Sequence, residues 1–363
     1  MNLREIVTKF DIHGGNIKDI IPWGNGHIND TYRVIIDDTS SNSNDYILQR
    51  VNHKVFPNVK DVMENQIMVI DHVVANHLMN KGLFQHPIQR FNNDNNSENN
   101  NKSAAQSYLY HNEEGWWRIT EFALDYKSYD QADIDIAIKA GSTIGNMVVA
   151  LSTFNPNKLH ITIPDFHNIH KRMDQLNQAW SNASSKRRQD AQNAMDRIQV
   201  NAHIFLEMYD TALSGELPLR VTHNDTKLNN LLFHKDIDIG KVIDLDTLMP
   251  GYIFFDIGDV LRSGMIDAAE DEVDLTKVTL NKEACDAFIK SFTSTAQSVL
   301  TQKEMTYIPM SGAYMSYMLS TRFLADYLNG DTYFKTHYDG HNLVRCLCQL
   351  RVCDVFREHY NLY

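Results

Sequence analysis

The sequence predicts an α+β protein of two lobes. Residues 1–122 would form a small antiparallel β N-lobe with one main helix, and residues 123–363 a larger, mostly helical C-lobe. Two observations predict this. In the first part, short apolar runs broken by turn residues surround one segment of helical period. After "EFALDY" the apolar spacing turns helical, as in "DIDIAIKAGSTIGNMVVALSTF". A third observation concerns function: "VTHNDTKLNNLLF", residues 221–233, crowds acid, base and amide groups against an apolar strand.

Taken in order, residues 3–10 form a short amphipathic helix. "IIPWGNGHINDTYRVII" reads as strand, Gly-containing turn and strand, the second over 31–36. "DYILQRVN", 45–52, is another strand. Val62, Met63, Ile67, Ile70, Val73, Val74 and Leu78 fall at helical spacing, and Gly82 stops that helix. The Asn-rich insert at 92–101 has no apolar area to bury and reads as a mobile surface loop. It lies between "HPIQRF" and "YLYHNEEGWWRITEFAL", both strand-like, as an overlong hairpin loop. Helices dominate the remainder, interrupted by two short strands after residue 230, and no internal repeat is present.

Composition excludes several classes. Apolar residues at 43% and charged residues at 22% mark a globular chain with ample core. The net charge of −12 and the lack of a strong basic block argue against nucleic acid. The run Lys186-Arg187-Arg188 reads as a solvated helix face. Cys346, Cys348 and Cys353 do not have zinc-knuckle spacing and, with Cys285, read as small buried hydrophobes. The start, "MNLREIVTKFDIHGG", carries charges within its apolar run, unlike a secretory signal. No window approaches about 18 consecutive apolar residues. The expectation is a cytoplasmic monomer with neither a membrane nor a nucleic-acid partner.

The chemistry gathers in three places. Asp225 follows His223, and Asn230 follows Asp225 by five positions. "GKVIDLDTLMP" then puts Asp244 and Asp246 at the end of a second apolar strand. A hairpin of 231–233 with 241–245 would set Asn230 beside Asp244, with Asp225 on the adjoining loop. Converging carboxylate and amide oxygens suit Mg²⁺, which takes its other ligands from water and phosphates. A further carboxylate off the metal can accept a hydroxyl proton, which completes the parts for phosphoryl transfer. Asp-x4-Asn followed by a strand-terminal Asp is the loop pattern of kinases. His223 reads as a packed organiser of the loop. A zinc hydrolase is disfavoured because no H-E-x-x-H occurs. The turn at 24–30, "GNGHIND", is a place where backbone N–H groups could cradle phosphate oxygens.

"RVTHNDTKLNNLLF", "VIDLDTLMPGYIFFDIGDVLR" and "RFLADYLNGDTYF" resemble the aminoglycoside phosphotransferase/choline kinase-like superfamily, and within it the bacterial N-acetylhexosamine 1-kinases. "GNGHINDTY", "YILQRVN" and "HNLVRCLCQL" support the same branch, so that the resemblance spans residues 24 to about 350. It implies a protein-kinase-like fold, ATP between the lobes, and transfer to the anomeric hydroxyl of N-acetylglucosamine or N-acetylgalactosamine. By position, Asp225 would be the catalytic base, and Asn230 and Asp244 would hold Mg²⁺, with Asp246 in or beside the metal site. Asp256 would brace the catalytic loop.

Gly24, Gly26 and His27 would cover the phosphates, Asn29 and Arg322 would meet the sugar, and the backbone near Glu121 would meet adenine. The strand lysine that grips the phosphates in such kinases is missing. Gln49 or Arg50 stands there, Glu64 is a candidate helix partner, and Lys227 is a substitute source of charge. Ser263 stands where the resembling enzymes tend to carry an aromatic residue near the sugar. The same fold acting on choline, ethanolamine, homoserine or an aminoglycoside is the main alternative, and a nucleotide-binding scaffold is a lesser one.

Overall fold

The computed structural model describes residues 2–13, 15–24, 28–37, 45–76, 82–91, 104–238 and 240–362. Gly26, His27, Leu78 and the Asn-rich insert at 92–101 lie outside the described residues. Helix α1 (Leu3–Val7) is followed by strands β1 (Asn16–Pro22), β2 (Asp30–Asp37) and β3 (Tyr46–Val51), helix α2 (Val59–Ala75), and strands β4 (Tyr110–Asn112) and β5 (Gly115–Glu121). The five strands form one antiparallel sheet in the order β1-β2-β3-β5-β4.

The two-residue alternation of a strand sorts this sheet into two faces. Val34, Ile36, Leu48, Trp117 and Ile119 pack against Ile6, Val7 and Phe10 on one face. On the other face Gln49 stands opposite Thr31 on β2 and Arg118 on β5. "HPIQRF" does not become a strand. It makes only isolated bridges, Pro87 to Thr120 and Arg90 to Phe10. Proline has no N–H to give a ladder, so pairing lapses there.

Helix α2 joins the sheet to the rest of the molecule. Its first half packs Val59, Val62 and Met63 with Val51, Phe56 and Leu109. Its second half sends Val69, Ile70 and Val73 into the main core.

The remainder is mostly helical. A short strand β6 (Tyr126–Lys127) precedes α3 (Ile134–Leu151), α4 (Ile169–Asn182) and α5 (Ser185–Leu213). Four short strands follow: β7 (Arg220–Thr222), β8 (Leu231–His234), β9 (Lys241–Val242) and β10 (Met249–Gly251). Helices α6 (Ile253–Gly264), α7 (Lys282–Ala296), α8 (Gln302–Tyr307), α9 (Ser311–Leu328) and α10 (His341–Tyr360) complete the chain. Helix α9 is buried on nearly every side and is surrounded by α4, α5, α6 and α10, as an apolar helix of this kind must be.

Among the described residues, α3 alone is long and apolar enough to cross a membrane. Its apolar face is used inside the protein. A Cβ on Gly141 would lie 2.5 Å from the Phe288 carbonyl of α7, so the two helices touch backbone to backbone. All four cysteines are buried and free. The expected solvated run 186–188 needs correction at Arg187. Its guanidinium reaches Asp331 at 2.8 Å and stacks over Tyr327, anchoring the start of α5 to the end of α9.

Candidate active site

Strand β7 pairs with β10 and delivers the chain into the polar loop that follows it. Helix α6 faces that loop and presents Asp256, which is 1% exposed. The two Asp256 carboxylate oxygens accept the N–H groups of His223 at 2.9 Å and Asn224 at 2.7 Å. Its main-chain carbonyl accepts the Thr226 hydroxyl at 2.6 Å. Asn224 adopts a left-handed backbone (φ +66°), a conformation Asn tolerates better than most residues, and its amide donates to the Thr222 and Thr247 carbonyls. His223 donates from Nε2 to the Ile243 carbonyl at 2.8 Å and accepts the Asp225 N–H at Nδ1. Both ring nitrogens are therefore engaged in holding the loop against the next strand.

This bracing brings Asp225, Lys227, Asn230 and Asp244 together. The Asn230 amide donates to the Asp225 carbonyl at 2.8 Å, and Lys227 Nζ lies 2.9 Å from Asp225 Oδ2. Strands β8 and β9 pair Leu231 with Val242, and the Ile243 N–H donates to the Asn230 carbonyl at 3.0 Å, so Asp244 emerges beside Asn230. Burial pushes the Asp225 carboxyl up, but the ammonium and hydrogen bond of Lys227 outweigh it and hold the group below the usual carboxylate range. Asp244, also left-handed (φ +61°), is pushed up to about 7 by burial and by the neighbouring Asp246 and Asp225 charges, against the pull of Lys227 and Arg118.

These residues fit a divalent cation. Among the described residues, neither the Asp244 carboxylate nor Asn230 Oδ1 accepts a hydrogen bond, and the crowded negative charge invites a counter-ion. An amide oxygen with a carboxylate is a donor set for a hard cation such as Mg²⁺.

Other expected residues go elsewhere. Asp246 is 3% exposed and both its oxygens accept hydrogen bonds. Gln66 donates to Oδ1 at 2.8 Å, Asn29 donates to Oδ2 at 2.7 Å, and Arg118 forms an ion pair with Oδ1. These bonds turn its carboxylate toward the N-terminal sheet, two residues after Asp244. The Asn29 amide donates to Asp246 and accepts the Asn52 N–H. Gly24 has the positive φ (+75°) that its turn needs.

Gln49 faces Arg118, accepting from Nε at 3.0 Å and Nη2 at 2.8 Å. Arg50 falls on the alternate face of β3 and pairs with Asp30, away from Gln49 and Arg118. Glu64 is taken by His160 at 3.0 Å and does not reach the sheet. The Glu121 carbonyl accepts the Gln85 amide at 2.9 Å, while its side chain is exposed.

Arg322 stands in the second half of α9. Its guanidinium stands among the rings of Phe166, Tyr333 and Phe334, at 5.4, 5.9 and 5.5 Å. It makes no ion pair among the described residues. Burial lowers its pKa, Tyr333 and Asp225 raise it, and Arg262 opposes them, so it lies within reach of the Asp225 charge. His167, invisible as a site residue in the sequence, donates to the Asn224 carbonyl at 2.9 Å and is pushed down to about 3 by burial. The Ser263 hydroxyl is used by the backbone. It accepts the Leu228 N–H at 2.9 Å and donates to the Asp259 carbonyl at 2.6 Å, clamping α6 to the loop instead of facing a sugar.

A braced acid beside an ammonium, with an oxygen donor pair alongside, is equipped to hold a polyanion and to take a hydroxyl proton. The antiparallel sheet followed by a helical remainder is the frame on which small-molecule kinases carry such groups. The chain belongs to the phosphotransferase enzyme family (APH), whose family model matches residues 19–280.

Solved structures agree on the fold. An aminoglycoside phosphotransferase from Alicyclobacillus acidocaldarius superposes with a TM-score of 0.62 at 12% identity, over 98% of this chain and 94% of that one. A choline kinase from Streptococcus pneumoniae gives 0.56 at 10% identity, over 97% of each chain. An amicoumacin kinase in complex with AMP-PNP, Ca²⁺ and Ami gives 0.55 at 11% identity, over 98% of this chain and 96% of that one.

Proposed function

We propose that this protein is an ATP-dependent kinase that phosphorylates the anomeric C1 hydroxyl of an N-acetylhexosamine, N-acetylglucosamine or N-acetylgalactosamine, to give the sugar 1-phosphate. In this reading residues 1–122 are the nucleotide lobe and residues 123–363 the catalytic and sugar-binding lobe. Asp225 is ionised near neutral pH, because Lys227 holds its pKa down, and is ready to take the C1 hydroxyl proton. The anomeric hydroxyl is more acidic than an ordinary alcohol, which eases that transfer. Asn230 and Asp244 would hold Mg²⁺, which when bound neutralises phosphate charge. Lys227, between Asp225 and Asp244, can turn from Asp225 to the transferring phosphate. Positioning and electrostatics of this kind carry most of the work in phosphoryl transfer.

The observation that carries the choice of acceptor is Arg322. A guanidinium near the catalytic carboxylate, with no carboxylate ion pair among the described residues, repels a cationic acceptor and suits a neutral one rich in oxygen acceptors. Its ring of Phe166, Tyr333 and Phe334 offers the flat apolar surface on which a sugar face can lie.

The test is ADP release over a panel of N-acetylhexosamines, plain hexoses, choline, ethanolamine, homoserine and aminoglycosides, with phosphorus NMR of the product. Turnover of N-acetylglucosamine or N-acetylgalactosamine with an anomeric phosphate signal supports the proposal. Turnover confined to an amino alcohol or an aminoglycoside transfers the site to that acceptor class. Nucleotide binding without turnover over a broad panel would indicate a scaffold.

A further inference from the structure

Three elements of the N-terminal part converge on one carboxylate of the metal loop. Asn29, from the turn between β1 and β2, donates to Asp246 Oδ2 at 2.7 Å. Gln66, on α2, donates to Oδ1 at 2.8 Å, and Arg118, on β5, completes the set with an ion pair to Oδ1. The partners are separated by 217, 180 and 128 positions in sequence, so this contact is made by the tertiary fold alone. Asp246 follows Asp244 by two residues, in the short helical turn Leu245–Thr247 that begins at Asp244.

Arg118 is 4% exposed and has no other carboxylate partner among the described residues. The strand that should carry the phosphate-gripping lysine instead carries Gln49, whose Oε1 accepts two Arg118 donors. Gln49 is itself oriented by Thr31, its Nε2 donating to Oγ1 at 3.2 Å. The cation has thus moved one strand over, from β3 to β5, and the residue left on β3 serves to aim it.

We propose that Arg118 and Asp246 form the latch that joins the sheet to the metal loop, with Arg118 as the positioning residue that replaces the absent strand lysine. Arg118 acts through Asp246: it orients Asp244, and Asn29 steadies the same carboxylate. A planar, permanently charged guanidinium suits this task, because it bonds Gln49 and Asp246 at once in a fixed geometry. The inference rests on the phosphotransfer reading of the site, but not on any particular acceptor.

The test is calorimetric titration with Mg²⁺ and a non-hydrolysable ATP analogue, without acceptor, for wild type, Arg118→Met, Arg118→Lys and Asn29→Ala. Thermal melts are recorded in parallel. Arg118→Met should weaken analogue binding by about tenfold or more, the worth of a charge-assisted hydrogen bond. Arg118→Lys should recover part of the loss. Asn29→Ala leaves no buried charge unpaired, so it keeps the test open if Arg118→Met fails to fold, and it should weaken binding by a smaller factor. Lowered melting temperatures with wild-type affinity in the folded variants would overturn the latch and leave a purely structural ion pair. A wild type that does not bind the analogue would overturn the phosphotransfer reading as well, so the two failures are distinguishable.

Discussion

Lys227 Nζ lies 2.9 Å from Asp225 Oδ2, and this contact is the largest of those that hold the Asp225 carboxyl below the usual carboxylate range. Burial alone would raise the Asp225 pKa, and the ammonium reverses the sign. In Lys227→Met the carboxyl should therefore titrate at higher pH. The acid limb of kcat/KM should move up in pH, and kcat should fall by about 10- to 100-fold. A pH–rate profile checks it, and an acid limb that stays in place contradicts it.

Asp256 spends one oxygen on each of two consecutive N–H groups, those of His223 and Asn224. An Asn at this position can accept only one, because its NH2 must face the other donor. Asp256→Asn should lose about 1–3 kcal/mol, the cost of a buried unsatisfied donor. It should also lose turnover, since the same bonds hold Asp225 in place. Chemical denaturation and steady-state kinetics read the two effects separately.

Gly251 supports the loop from below. A Cβ there would lie 2.2 Å from Thr222 Oγ1 and 3.1 Å from Asn224 Oδ1. Gly251→Ala should displace the Asn224 turn, with a stability loss of about 1–3 kcal/mol by overpacking. Stability and kcat measured on the variant should fall together; wild-type values of both would show that the loop tolerates the shift.

The cysteines serve as small core residues. Burial pushes the Cys285 thiol up to about 12 and Cys348 to about 11, and raises Cys346 and Cys353 as well. At about pH 8 none should react with an aromatic disulfide reagent in the native state, since the thiolate is the reactive form. All 4 should react after denaturation. Rapid native labelling would place a thiol at the surface.

The parts of the fold legible in sequence are those written locally. The alternating strands around Leu48, the helical spacing of Val62 to Val73, and the hairpin that carries Asn230 toward Asp244 all follow from neighbours in the chain. "HPIQRF" misled because its apolar pattern is strand-like while Pro87 withholds a donor. The side chains whose partners were not foreseen share a different cause. Asp246, Asn29, Glu64 and Ser263 are polar groups whose partners lie 217, 180, 128, 96 or 35 positions away, and no local pattern specifies such a partner. Arg118 was missed for the same reason. In "GWWRITE" it looks like one polar tooth of an ordinary strand, and only the register opposite Gln49 reveals its direction.

The most direct test of phosphoryl transfer at this site is the single-turnover rate of Asp225→Asn against wild type, with Mg²⁺, ATP and N-acetylglucosamine. The substitution keeps shape and removes the base. Wild type should form a sugar 1-phosphate, and the variant should bind the nucleotide normally while its rate falls by about 10²- to 10⁴-fold. A variant that transfers phosphate at near wild-type rate would contradict the role of Asp225 and the mechanism built on it.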